Sequence, residues 1–146
     1  MIGCALSSGR LRGVIVKTLE ALAGQELDAT VVACFSVQAE VGLRGAGTAA
    51  YQNQPDIALV LETTVAAGVP GILPARQPTR FDSGPAVVVD NTMITNGHAV
   101  KAITELAGEH LIPWQYRIPF GVGTNASAIQ RSRAGVLPGW QPEPTS

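Results

Sequence analysis

Two apolar runs of the sequence each end near a carboxylate, and this pattern constrains the fold more than any other feature. Residues 31–37 are mostly apolar, and Glu40 follows them after a short turn. Residues 56–61 repeat the pattern, and Glu62 follows directly. Runs of this kind are typical of strands covered on both faces. Because ligands of open α/β sheets bind at the carboxyl ends of the strands, Glu40 and Glu62 are the first candidates for chemistry.

Helical and strand patterns alternate along the chain, which predicts the α/β class in a single domain. Helices are predicted over residues 13–23, 46–52, 98–110 and 126–133, and strands over residues 29–37, 56–61, 86–89 and 114–118. Residues 65–82 are rich in proline and glycine, which indicates an irregular loop. Residues 137–146 hold three prolines and no periodicity, which predicts a disordered tail.

The composition excludes several classes of protein. The chain has 146 residues, a net charge of −1 and 14% charged residues, with no basic cluster of the kind that binds nucleic acid. No apolar run approaches the roughly 18 residues of a membrane helix. We therefore expect no nucleic acid and no membrane as partner. The sparse charge predicts a surface that forms an interface, either in a homo-oligomer or within a larger protein of which the chain is a piece. Cys4 and Cys34 lie in apolar contexts, which predicts free buried thiols in a cytoplasmic protein.

The residues alone leave two interpretations of each candidate site open. Neighbouring carboxylates such as Glu40 and Glu62 suit divalent cations, especially in a two-metal hydrolase site, although solvated turn residues would show the same spacing. The glycine-rich loop at residues 121–124 suits either an anion at a helix N-terminus or a plain turn. Thr124 or Asn125 is predicted to cap the helix that follows.

The segment QAEVGLRGA at residues 38–46 resembles the metal-site motif of the M42 family of metallo-aminopeptidases, which reads QEEVGLRGA. Further similarities follow in chain order, covering roughly residues 3–136 in all. They are GCA at residues 3–5, TAAY at 48–51, PDIA at 55–58, GPA at 84–86, IPWQ at 112–115 and GTNA at 123–126.

The resemblance implies an enzyme that removes N-terminal residues from peptides. In this family two divalent metals, usually zinc or cobalt, activate a water, and a glutamate beside a metal ligand acts as general base. The implied partners are a peptide substrate and further copies of the chain in a hollow homo-oligomer. The implied fold is a mixed sheet sandwiched by helices. Residues 1–136 would form part of the catalytic domain, without its first segment and its inserted β domain.

Carried onto this sequence, the motif assigns Glu40 as a metal ligand and Glu62 as the counterpart of an aspartate ligand. Gly123, Thr124 and Asn125 are assigned to substrate binding, with Asn125 in place of an aspartate. Ala39 occupies the general-base position, so no catalytic residue is assigned. A general base contributes about 10²–10⁴-fold to rate, so we expect an impaired or inactive site.

Two alternatives to an active aminopeptidase stay open. The first is a non-catalytic structural subunit, or a gene fragment, of the same family, and it follows from the alanine at the general-base position. The second is an unrelated α/β module that binds small anions, and it rests on the glycine-rich loop at residues 121–124 alone.

Overall fold

The computed structural model describes residues 2–6, 9–64, 79–89, 94–118 and 123–136; for residues 2–6, 9 and 10 it describes the backbone only. The chain divides into two compact units. The first unit comprises Met1–Thr63 and Gly123–Ser146, and the second unit comprises Thr64–Val122. The predicted tail at residues 137–146 and most of the predicted loop at residues 65–82 lie outside the described residues.

The described elements alternate between strand and helix, as the α/β class requires. In chain order they are β1 (Ile2–Leu6), α1 (Gly9–Leu22), β2 (Val31–Ala33), α2 (Arg44–Asn53), β3 (Ile57–Leu61), β4 (Ala86–Val88), α3 (Gly97–Glu109), β5 (Gln115–Arg117) and α4 (Asn125–Gln130). The α/β prediction is therefore confirmed.

The first unit is built on a three-stranded parallel sheet in the order β2-β1-β3. Ile2 of the central strand lies beside both Val31 and Ile57, so the three strands begin at the same level of the sheet. The sequence analysis assigned no strand to residues 2–6, because an isolated run of five residues carries no periodicity of its own. Parallel strands end at one edge of the sheet, which we call the carboxyl edge.

The apolar core of the first unit consists mostly of small side chains. Ala46 and Ala50 lie four residues apart and therefore share one face of α2. Together with Ala58 of β3, Ile129 of α4 and Val136, they form the buried cluster. Because alanine has no side chain beyond Cβ, α2 can approach the sheet and α4 closely. Close approach of these backbones is what positions the residues at the carboxyl edge.

The second unit contains a parallel pair, β4 with β5, in which Ala86 lies beside Gln115. Its helix α3 begins after Asn96, whose side-chain oxygen accepts hydrogen bonds from the N–H groups of His98 and Ala99. Every strand pair in the described residues is parallel, whereas the resemblance implied a mixed sheet.

The predicted bounds of α1 and β2 differ by four residues at one end from those observed. Helix α1 begins four residues before the predicted start, and Gly24 follows it with a φ of +80°, as expected of a glycine after a helix. Strand β2 is shorter than the predicted residues 29–37: only residues 31–33 pair with β1, and the Val37 carbonyl accepts the N–H of Gly45 instead. No helix in the described part of the chain has the length and apolar character to cross a membrane.

Candidate functional site

Both predicted metal ligands follow strands that end at the carboxyl edge of the first unit. Glu62 comes directly after β3, and Glu40 lies on the connection from β2 to α2. Strand β1 separates these two strands, so their axes lie about 10 Å apart at the usual spacing of neighbouring strands. The sheet order and the parallel pairing therefore place the two chain segments on one edge of the sheet.

The connection that carries Glu40 is closed by a close backbone contact, and we call residues 37–45 the motif loop. The N–H of Gly45 donates to the Val37 carbonyl at 3.1 Å. A Cβ atom at position 45 would lie 2.5 Å from the Val37 oxygen and 2.6 Å from its nitrogen. Only glycine fits there, so the loop is held at its two ends. Sequence reasoning quoted Gly45 within a motif but gave it no role.

Inside the motif loop, the backbone of Ala39 organises the turn. Its carbonyl accepts the N–H groups of Gly42 at 3.4 Å and Leu43 at 3.1 Å. Leu43 has a left-handed backbone with a φ of 58° immediately before α2. The Glu40 side chain is exposed on this turn and makes no hydrogen bond or ion pair with another described residue. The turn thus presents a carboxylate that is open to a ligand.

Glu62, in contrast, is half-buried and already engaged. Its Oε1 atom accepts a hydrogen bond of 2.7 Å from the backbone N–H of Asn125, the first residue of α4. The two residues are 63 positions apart in the chain. The structure therefore joins a predicted metal ligand directly to the predicted substrate-binding residues.

Gly123 and Thr124 precede α4, and Asn125 is its first residue. We call these three residues the peptide loop, after the substrate-binding role that the resemblance predicts. The Thr124 carbonyl accepts hydrogen bonds from the N–H of Ser127 at 3.0 Å and from its hydroxyl at 2.8 Å. Thr124 and Asn125 are buried, at 6% and 0% exposure, whereas Gly123 is exposed. These contacts fix the backbone of the loop.

The predicted side-chain cap of α4 is wrong. Thr124 makes no side-chain capping bond, and neither its hydroxyl nor the two amide atoms of Asn125 have a hydrogen-bond partner within the described ranges. Glu62 and Ser127 make the contacts at this end of the helix instead. Sequence reasoning missed Ser127, although its position three residues after Thr124 is the usual place for such a contact. It missed the Glu62 contact because nothing local links residue 62 to residue 125.

The described residues contain no cluster of metal-binding side chains. No three histidine, cysteine, aspartate or glutamate side chains among them come together in a group able to hold a metal ion. His98 and His110 are exposed in the second unit, at the start and at the C-terminal cap of α3. Burial raises the pKa of the half-buried Cys34 thiol, which keeps it protonated at neutral pH.

Glu40 and Glu62 therefore remain as the two candidate ligands. By ligand type, their carboxylates suit a divalent cation that keeps several waters. They do not fit the complete two-metal site that the resemblance implies.

Comparisons with known proteins agree with the motif. A sequence model of the family described as M42 glutamyl aminopeptidase matches residues 12–140. An aminopeptidase-like protein of Acetivibrio thermocellus is 32% identical over 140 residues, which are 95% of this chain and 41% of that protein.

Solved structures share the fold. Aminopeptidase APDkam598 from the archaeon Desulfurococcus kamchatkensis is similar with a TM-score of 0.76 and 35% identity, over 86% of this chain and 36% of that one. The TET1 peptidase of Pyrococcus horikoshii is similar with a TM-score of 0.64 and 29% identity, over 82% of this chain and 35% of that one. That peptidase can assemble into a tetrahedron or a large octahedral shell. The chain thus spans about two fifths of the curated relative and about a third of each solved chain.

Proposed function

Because the chain belongs to the M42 glutamyl aminopeptidase family, we propose that it carries part of the active site of an enzyme that removes N-terminal residues from peptides. In this proposal Glu40 and Glu62 bind a divalent cation, zinc or cobalt, at the carboxyl edge, and the peptide loop lies beside the substrate. The contact between Glu62 and Asn125 carries the proposal, because it brings two separate family motifs together at that edge.

The chemistry of this partial site is limited by position 39. A divalent cation in such a site polarises the scissile carbonyl and makes a bound water more acidic. Ala39 has no atom that accepts a proton, so the base expected at that position is missing. A positioned general base contributes about 10²–10⁴-fold. We therefore propose that residues 1–136, as part of a catalytic domain, bind the cation and hydrolyse peptides slowly at best.

Calorimetric titration of zinc, and then of cobalt, into the purified chain tests the metal part of the proposal. We expect one saturable site whose affinity falls at least tenfold in Glu40→Gln and in Glu62→Gln. Glu109→Gln is the matched control, because Glu109 is exposed at the end of α3 in the second unit. Unchanged affinity in both Glu40→Gln and Glu62→Gln would show that any bound zinc lies elsewhere.

Hydrolysis of aminoacyl-p-nitroanilides in the presence of zinc or cobalt tests the catalytic part. Ala39→Glu is expected to raise turnover by about 10²–10⁴-fold over the parent chain, because it restores a proton acceptor. Ala39→Gln has the same shape without the base and is expected to match the parent. If Ala39→Glu shows no turnover with either metal across several N-terminal residues, the aminopeptidase proposal fails for this chain.

A second candidate function is a non-catalytic structural subunit, favoured by the alanine within an otherwise matching motif. The assembly of the Pyrococcus horikoshii relative supports a homo-oligomer of this chain. A cytoplasmic location is part of the same proposal. Val14, Val16 and Leu19 of α1 are exposed apolar side chains, which a neighbouring copy could cover. Size-exclusion chromatography with light scattering tests this candidate, and a clean monomer at micromolar concentration would argue against it.

A further inference from the structure

We infer that the backbone N–H of Asn125 is a positioning group that fixes the Glu62 carboxylate, so that cation binding by Glu62 depends on the conformation of the peptide loop. The metal-binding half of this inference rests on the proposed function. The positioning half rests only on the contacts of the described residues. The two halves are tested by separate measurements below.

The contact itself is short and involves a charged acceptor. The Asn125 nitrogen lies 2.7 Å from Glu62 Oε1, in the range of charge-assisted hydrogen bonds. Such bonds are stronger than those between neutral groups. Glu62 directly follows β3, so the sheet holds its backbone, and the N–H of Asn125 holds one oxygen of its flexible side chain.

The donor side of the contact is the more rigid one. The Thr124 carbonyl is held by both the N–H and the hydroxyl of Ser127, and Thr124 and Asn125 are buried. A movement of the peptide loop would therefore carry the N–H of Asn125 with it and change the direction of the Glu62 carboxylate. Groups that orient a metal ligand in this way typically affect metal affinity 10–100-fold.

The side chain of Asn125 does not make this contact. Its Oδ1 and Nδ2 atoms are buried and have no hydrogen-bond partner in the described part of the chain. The positioning role therefore belongs to the backbone, and a substitution that keeps the N–H keeps the role. This separates the inference from any role of the Asn125 amide in contacting substrate.

Proline at position 125 removes the donor with little disturbance of the backbone. Proline is well tolerated at the first position of a helix, which Asn125 occupies. The preceding residue, Thr124, has a φ of −109° and a ψ of 161°, the extended conformation that residues before proline favour. Asn125→Ala is the reference, because it removes the same side-chain amide and retains the N–H.

A second proline serves as a matched control. Gly97 is the first residue of α3, and no atom lies within 4 Å of the Cβ that another residue would add there. Asn96 before it is extended, as a residue before proline should be. Gly97→Pro therefore tests the general effect of proline at a helix start, in the second unit.

Zinc titration by calorimetry tests the metal-binding half. We expect Asn125→Pro to bind zinc at least about tenfold more weakly than Asn125→Ala. Gly97→Pro is expected to bind as the parent chain does. Equal affinities of Asn125→Pro and Asn125→Ala would overturn the coupling between the peptide loop and cation binding.

Denaturant unfolding without metal tests the positioning half. The ratio of the unfolding constants of Asn125→Pro and Asn125→Ala is measured in the parent and in the Glu62→Gln background. Since hydrogen bonds to charged groups are the stronger ones, we expect this ratio to be about fivefold larger in the parent. An equal ratio in both backgrounds would overturn the inference. This result stands even if zinc binds elsewhere and the proposed function fails.

Amide hydrogen exchange keeps the inference testable if Asn125→Pro does not fold. In Glu62→Ala the Asn125 N–H is expected to exchange at least about tenfold faster than in the parent, because it loses a charged acceptor. The Ser127 N–H, which donates to the Thr124 carbonyl, is the internal control and should keep its rate. An unchanged rate at Asn125 would show that Glu62 does not hold this N–H.

Discussion

Two side-chain amides in the two units, those of Gln115 and Asn125, have opposite surroundings. Gln115 opens β5 in the second unit, and its Oε1 accepts the N–H of Arg80 at 2.8 Å. Its Nε2 donates to the carbonyls of Arg80 at 3.0 Å and Gly84 at 2.9 Å. Asn125 opens α4 in the first unit, is fully buried, and has no partner for either amide atom among the described residues.

The difference in hydrogen bonding separates the two residues. The amide of Gln115 has a structural role, whereas the contacts within the described residues do not explain the amide of Asn125. Gln115 ties residues 80–84 to β5 with three hydrogen bonds, and each of these bonds stabilises the second unit. A buried polar group without a partner costs about 1–3 kcal/mol. Native proteins retain such groups mainly where function requires them. Asn125 fits that description, because its backbone contacts the candidate ligand Glu62.

The largest loss of stability is expected from a substitution at Gly84, whose carbonyl accepts a hydrogen bond from Gln115. A Cβ at position 84 would lie 1.9 Å from the Pro113 carbonyl oxygen, and the φ of Gly84 is +81°. Gly84→Ala should therefore lower the free energy of unfolding by more than about 3 kcal/mol. Urea denaturation measures this change. Gly108→Ala in α3 meets no atom within 4 Å and should raise stability by up to about 1 kcal/mol.

If Gly84→Ala unfolds at the same urea concentration as the parent, the segment at residues 80–84 is free to move. Gln115 would then not hold it, and the contrast with Asn125 would disappear.

The next largest change in stability is expected when the side-chain amides of Gln115 and Asn125 are removed. Gln115→Ala leaves one N–H and two carbonyls without their partner and should lower the free energy of unfolding by about 2–3 kcal/mol. Asn125→Ala removes two amide atoms that have no partner among the described residues, which offsets its lost packing, and should change stability by less than about 1 kcal/mol. Both values come from the same urea titration. Equal losses would mean that the Asn125 amide has a stabilising partner.

A smaller effect tests whether the first unit is stabilised by contacts other than Asn125. Arg133 donates from Nε to the Tyr51 carbonyl at 2.8 Å, and its guanidinium lies 4.1 Å from the centre of the Tyr51 ring. Arg133→Lys removes the planar group and should cost about 0.5–1 kcal/mol, measured by thermal unfolding. Arg131→Lys is the control, since Arg131 is exposed. A similar loss in both variants would show that the loss does not come from the contacts with Tyr51.

Sequence patterns predicted the elements whose signals are local. Helices α2 and α3 and strand β3 lie within three residues of their predicted bounds, because apolar spacing and turn residues are read over short windows. Strand β1 was missed, although it is the centre of the sheet. Its five residues form a strand only because β2 and β3 flank it, and no local signal carries that information.

The sequence by itself determined the α/β class, the family, and the presence of carboxylates after two strands. It also determined that Ala39 cannot act as a base, since that depends only on the identity of the residue. Tertiary structure alone decided that the two strands share an edge, that the Val37 backbone excludes any side chain at Gly45, and that Glu62 meets the N–H of Asn125. The physical reason is that contacts between residues far apart in the chain are set by the packing of small side chains between α2, β3 and α4. Local propensity does not encode that packing.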